Sequence, residues 1–117
     1  MGWVQCIGQN GGGGGGNYTD SRFDGNLKNN TLIGTGGVET AFNGWSSTDF
    51  IDVSGLEEIY LNGLQLSDSY NAWYDSGKNY ISMFAQSYKL TSPANAKYMR
   101  LSQQTYRMET IKVFSEV

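Results

Sequence analysis

The chain has no histidine, one cysteine and one proline among its 117 residues. The first two scarcities remove classes of chemistry. Without histidine no side chain has an ordinary pKa suited to general-base work near neutrality, which excludes Ser-His-Asp and Cys-His nucleophile systems. A lone cysteine and no histidine leave neither a disulfide framework nor a zinc-ligand set. Charged residues are only 16%, and 8 basic against 11 acidic side chains give a net −3, so no global field draws phosphate backbones or anionic lipid. Nucleic acid and membrane insertion are therefore not expected. The start Met1-Gly2-Trp3-Val4-Gln5-Cys6-Ile7 has neither a basic n-region nor an apolar run of the length an export signal or a membrane span requires. The absence of a signal peptide predicts a product made in the cytoplasm. Cys6 stands where the myristoylation motif needs Ser or Thr, and it reads as a small buried hydrophobe.

What the chain does have is glycine, 16 residues, and aromatic side chains at 14%. The length suits one domain with a core that needs no metal or disulfide. Residues Gly11 to Gly16 form an unbroken glycine tract that can bury no side chain, and only glycine lets neighbouring backbones approach so closely. Residues 1–17, with Trp3 and Gly11, Gly12, Gly13, Gly14, Gly15 and Gly16, are expected to form an anchoring arm. The domain then occupies residues 18–117.

From Thr31 onward, short runs with period-two alternation recur at intervals of roughly ten residues, the pattern of a sandwich or barrel. Strands are expected near Thr31–Ile33, Val38–Phe42, Phe50–Val53, Glu58–Asn62, Tyr70–Tyr74, Tyr80–Phe84, Tyr88–Thr91, Tyr98–Ser102 and Glu109–Phe114. Turn residues separate them at Gly34-Thr35-Gly36-Gly37, Asn43-Gly44, Ser54-Gly55, Asn62-Gly63, Asp75–Asn79 and Ser92–Asn95. No stretch sustains a helical apolar period, so helices should be single turns at most. The fold class is all-β, with two packed antiparallel sheets rather than one open sheet. Alternation sends Ile51 with Val53, Ile59 with Leu61, Met99 with Leu101 and Ile111 with Val113 to a shared core. Asp52, Tyr60, Tyr98, Arg100, Thr110 and Lys112 fall on the opposite faces, where a partner could touch them.

Candidate chemistry is sparse. Glu57 and Glu58 are adjacent and Asp49 and Asp52 are out of phase, so neither pair aims two carboxylates at one point. An Asp68/Asp75 pair across a hairpin rests on acidity alone. The stretch Asp20-Ser21-Arg22-Phe23-Asp24-Gly25-Asn26 fails as a calcium loop, because Arg22 takes a ligand position and no late bidentate Glu follows. No metal or cofactor is expected, and no catalytic residue. Aromatic side chains of a β-sandwich usually fill its core, but Tyr and Trp also stack on sugar faces and anchor interfaces. Trp73, Tyr74, Asp75, Lys78, Arg100 and Gln103 form the candidate ligand-binding group. Arg100 and Arg107 have a plain alternative as solvated edge charges.

Three segments carry a resemblance: Gly44-Trp45-Ser46-Ser47-Thr48-Asp49-Phe50-Ile51-Asp52-Val53, Ala72-Trp73-Tyr74-Asp75-Ser76-Gly77-Lys78-Asn79-Tyr80-Ile81-Ser82 and Ser92-Pro93-Ala94-Asn95-Ala96-Lys97-Tyr98-Met99-Arg100-Leu101-Ser102. Together they resemble the galactose-binding-domain-like jelly-roll modules that recur in bacteriophage tail and head-fibre proteins and in some bacterial surface proteins. The resemblance covers roughly Gly44 to Ser102 and implies a binding, decorating or receptor-attaching role rather than catalysis. The departure is at the front, where only a short glycine-bearing arm precedes the module.

The expectation is a complete, small, non-enzymatic phage virion protein, either a capsid decoration or a fibre-type subunit. Its arm would anchor on capsid or fibre proteins while the jelly roll faces outward, with host-surface glycans as candidate ligands. Homo-oligomers, trimers among them, are common in such fibres. The alternative is a monomeric carbohydrate-binding module of a bacterial surface protein with Trp73 and Tyr74 as its stacking platform. A glycan-processing enzyme is a third class, and it would depend on Asp75.

Overall fold

The computed structural model describes residues 23–62, 69–109 and 111–115. The expected arm of residues 1–17, with Trp3 and the glycine tract, lies outside the described residues, as do Asp68 and Thr110.

Among the described residues there are ten strands and a single turn of helix, and all the strand pairings are antiparallel. The chain is all-β. Strands β1 (Leu27–Gly34) and β2 (Val38–Thr48) form a long hairpin closed by a tight turn at Thr35–Gly37. Gly36 and Gly37 sit there at φ 76° and 74°, a region that L side chains rarely enter. β2 also pairs with β9 (Ser102–Gln104), which completes one sheet in the order β1-β2-β9. A second sheet runs β3-β8-β5-β6, from Ile51–Asp52, Tyr98–Arg100, Asn71–Tyr74 and Tyr80–Phe84. The third joins β10 (Lys112–Ser115), β4 (Glu58–Asn62) and β7 (Lys89–Thr91), in that order. The helical turn, α1, is Thr105–Met108.

The strand expected at Tyr98–Ser102 is split at Leu101, and Thr48 opposite explains the break. Thr48 N–H donates to the Leu101 carbonyl at 2.9 Å, while the Leu101 N–H turns to the Thr48 hydroxyl at 3.0 Å. A side chain thus replaces a backbone acceptor. Here β2 gives way to β3 and β8 to β9, and the chain passes from one sheet to the next.

The alternating pairs meet as the sequence predicts. Ile51, Val53, Ile59, Leu61, Met99, Leu101, Ile111 and Val113 are all buried in one cluster with Trp73, Leu90, Ala96 and Met108. The cluster draws from the second and third sheets, and each buried aliphatic side chain contributes about 1.5–3 kcal/mol. The other face of the β3-β8-β5-β6 sheet carries a smaller cluster of Ala72 and Tyr74, covered by Ile33 of the hairpin.

Candidate functional site

The structure does not bring the six candidate ligand-binding residues to one place. Trp73 and Tyr74 are neighbours in β5, so the pleat sends them to opposite faces. Trp73 is 3% exposed and lies against Phe84, with ring centroids 4.6 Å apart in the main core. It offers no stacking surface to a ligand, which corrects the expectation of a Trp73/Tyr74 platform. Gln103 is 1% exposed and is likewise removed from any surface site.

Tyr74, Lys78 and Arg100 do converge, around Phe50. The Tyr74 and Tyr98 rings meet Phe50 edge to face at 4.9 and 5.9 Å. Lys78 Nζ lies 4.9 Å from the Phe50 centroid and 5.5 Å from that of Tyr98, and the Arg100 guanidinium carbon is 4.9 Å from Phe50. Such contacts contribute about 0.5–1 kcal/mol each where exposed. Arg100 is itself buried and donates from Nε to the Thr48 carbonyl at 2.9 Å and from Nη2 to Glu39 Oε1 at 2.6 Å. It is therefore neither a partner-facing residue nor a solvated edge charge. Tyr74 Oη donates to the Gly37 carbonyl at 2.6 Å. Burial raises this phenol above its ordinary 10.0, against the opposing pull of Arg100, so it remains a donor at neutral pH. The cluster fastens the hairpin tip to the second sheet.

Asp75 is occupied by its own turn. Its Oδ1 accepts the backbone N–H groups of Gly77 and Asn79, each at 2.9 Å. These contacts, the Asn79 backbone N–H foremost, hold the carboxyl below its ordinary 3.8. Asp24 accepts the Asn26 N–H at 2.9 Å in the same manner, and no cluster of potential metal ligands occurs among the described residues. An open groove of about 440 Å³ between the Gly55–Glu57 and Ser92–Ala96 turns has a single carboxylate in its lining, Glu57.

The surface does carry an aromatic site that the sequence reading missed. Between Asn29↔Ser46 and Thr31↔Ala41, two residue steps on β1 face five on β2, so β2 bulges through Phe42-Asn43-Gly44-Trp45. Asn30 at φ 60° and Gly44 at φ 84° permit the bulge, and Asn30 Oδ1 accepts the Gly44 N–H at 3.3 Å. Phe42 and Trp45 meet edge to face at 5.9 Å and 77°, and Trp45 and Tyr70 at 5.2 Å and 86°. Phe42 is 50% exposed and Tyr70 44%. Asn43-Gly44 reads as a hairpin turn in sequence because a turn and a bulge need the same positive-φ residues. The usable signal was the aromatic residue on either side of that dipeptide.

No protein-family model matches the chain, nor does any curated protein or any solved structure.

Proposed function

We propose that the chain is a non-enzymatic structural protein of a bacteriophage virion, a capsid-decoration or fibre subunit that displays a binding module on the particle surface. The module in this reading is a two-sheet β-sandwich of galactose-binding-like jelly-roll type, its facing layers being β3-β8-β5-β6 and β10-β4-β7, with Ile33 of the β1-β2-β9 sheet packed on the outer face of the first. One observation carries the proposal. The three segments that resemble those phage modules include β3, most of β5 and β6, and β8, which are hydrogen-bonded neighbours in the order β3-β8-β5-β6, together with the end of β2 and the first residue of β9 in the adjoining sheet. The resembling segments thus meet in the β3-β8-β5-β6 sheet and at its junction with β2 and β9. Core side chains shared between that sheet and β10-β4-β7 support the sandwich.

A displayed module needs a stable scaffold and an accessible face, and the bulge aromatics supply the face. Its partners in this reading are other virion proteins and further copies of the chain. The second reading, a monomeric carbohydrate-binding module of a bacterial surface protein, loses Trp73 as a platform but is favoured by the exposed Phe42 and Tyr70 rings. Solution mass by light scattering separates the two. The virion subunit should be oligomeric as the full chain and lose assembly when it starts at Tyr18. A chain that is monomeric in both forms contradicts the arm-mediated assembly proposed here.

A further inference from the structure

We infer that the Phe42–Trp45–Tyr70 ladder is a glycan-binding platform that takes a neutral hexopyranose. This deepens the display reading and rests on it.

The bulge is the first ground. Surplus residues on β2 interrupt the β1–β2 ladder between Phe42, which is exposed, and Trp45, which is half-buried. Bulges of this kind re-aim side chains. The Asn30–Gly44 hydrogen bond of 3.3 Å fixes the bulge before any ligand arrives, which lowers the ordering cost of binding. The second ground is the rings' arrangement. Both outer rings stand nearly perpendicular to Trp45, at 77° and 86°, so each is held against it edge to face. Phe42 and Tyr70 remain 50% and 44% exposed, which keeps apolar ring surface in water beside hydrogen-bonding groups.

The third ground is the polarity of the surroundings. Asn43 is exposed on the bulge, Asn30 braces it, and Gln104 is the cross-strand partner of Trp45. The nearby cation, Arg107, is turned to Gln104 Oε1 at 3.3 Å and to the Tyr106 ring at 5.0 Å. Aromatic faces rimmed by amides fit a ligand with C–H faces and neutral hydroxyls. With a net charge of −3, the chain has no field to draw a polyanion.

The test is binding of the full chain to a panel of galactose-, glucose- and N-acetylglucosamine-terminated oligosaccharides, with sialylated and sulfated ones alongside. Phe42→Ala and Tyr70→Ala should each weaken binding by at least about tenfold. Phe42→Tyr, which keeps a ring, should restore it, and Tyr88→Ala, on a tyrosine 56% exposed elsewhere, should leave it unchanged. Thermal melts of every variant separate lost binding from lost fold. Binding that survives both alanine substitutions overturns the site, and binding confined to acidic glycans overturns the ligand class. No binding to any member of the panel at millimolar concentration also overturns the inference. In each of these cases virion display still stands or falls on assembly and particle association.

Discussion

Arg100 of β8 and Glu39 of β2 meet at 2.6 Å, across the boundary between two sheets. The guanidinium is almost fully buried, whereas the Glu39 side chain is 36% exposed and also lies 3.4 Å from Lys28. Arg100→Ala would leave the Thr48 carbonyl without its Nε donor and undo the ion pair. We expect a loss of about 2–3 kcal/mol, less than for a fully buried pair because Glu39 is partly solvated. Urea unfolding measures it. Arg100→Lys should recover part of the loss by restoring the charge without the fork.

The same pair makes stability pH-dependent. The hydrogen bond from Arg100 first, then the charges of Arg100 and Lys28, hold Glu39 below its ordinary 4.5 despite some desolvation. A depressed carboxyl pKa means that the unfolded chain binds the proton more readily. The contribution is therefore fully present above 4.5 and is lost as pH falls through the folded-state value. The difference in melting temperature between wild type and Glu39→Gln should be greatest near neutrality and shrink steadily from about pH 5 to pH 3. A difference that is constant over that range contradicts the assignment.

Gly37 is where the hairpin tip touches the second sheet. A Cβ there would lie 2.7 Å from Tyr80 Cδ1 and 3.0 Å from the Tyr74 hydroxyl, on a backbone at φ 74°. Gly55 has a similar φ of 77° with nothing within 4 Å. Gly55→Ala should cost about 1 kcal/mol from backbone strain alone, and Gly37→Ala about 2–3 kcal/mol because packing fails as well. Chemical denaturation of the pair isolates the contact. Equal losses would mean that the tip does not rest on Tyr74 and Tyr80.

Trp73→Ala should destabilise by about 3–5 kcal/mol as a core cavity, while Trp73→Phe should cost clearly less. A stable Trp73→Ala variant that had merely lost ligand binding would overturn the placement of this residue in the core.

Asp75→Ala should lower the melting temperature, because Gly77 and Asn79 lose their common acceptor. Asp75→Asn should do so by less, since it keeps a carbonyl oxygen in place. Asp75 holds the turn in this account. Oligosaccharide turnover abolished by Asp75→Asn in a folded chain would contradict that role and revive the enzyme reading.

Much of the core was legible because period-two alternation is a local property. Ile59 with Leu61, and Met99 with Leu101, needed no knowledge of their partners. The same rule already separated Trp73 from Tyr74, and grouping them by adjacency in sequence obscured it. Elements defined by a partner were not legible. Leu27-Lys28-Asn29 has no alternation and becomes strand through pairing with β2. Leu101 interrupts its strand because Thr48 supplies a hydroxyl opposite. Arg100, by sequence an outward charge, is buried because Glu39 and the Thr48 carbonyl stand within reach, a juxtaposition of residues far apart in the chain. The bulge aromatics depend on a register shift that no single strand encodes.

Association with particles tests the central claim most directly. Phage particles from a lysate in which the chain is made would be banded by density and probed with an antibody raised against the chain. The chain should co-band with intact particles, and immunogold should decorate their exterior. A chain that stays entirely in the soluble fraction, with unlabelled particles, would contradict the claim.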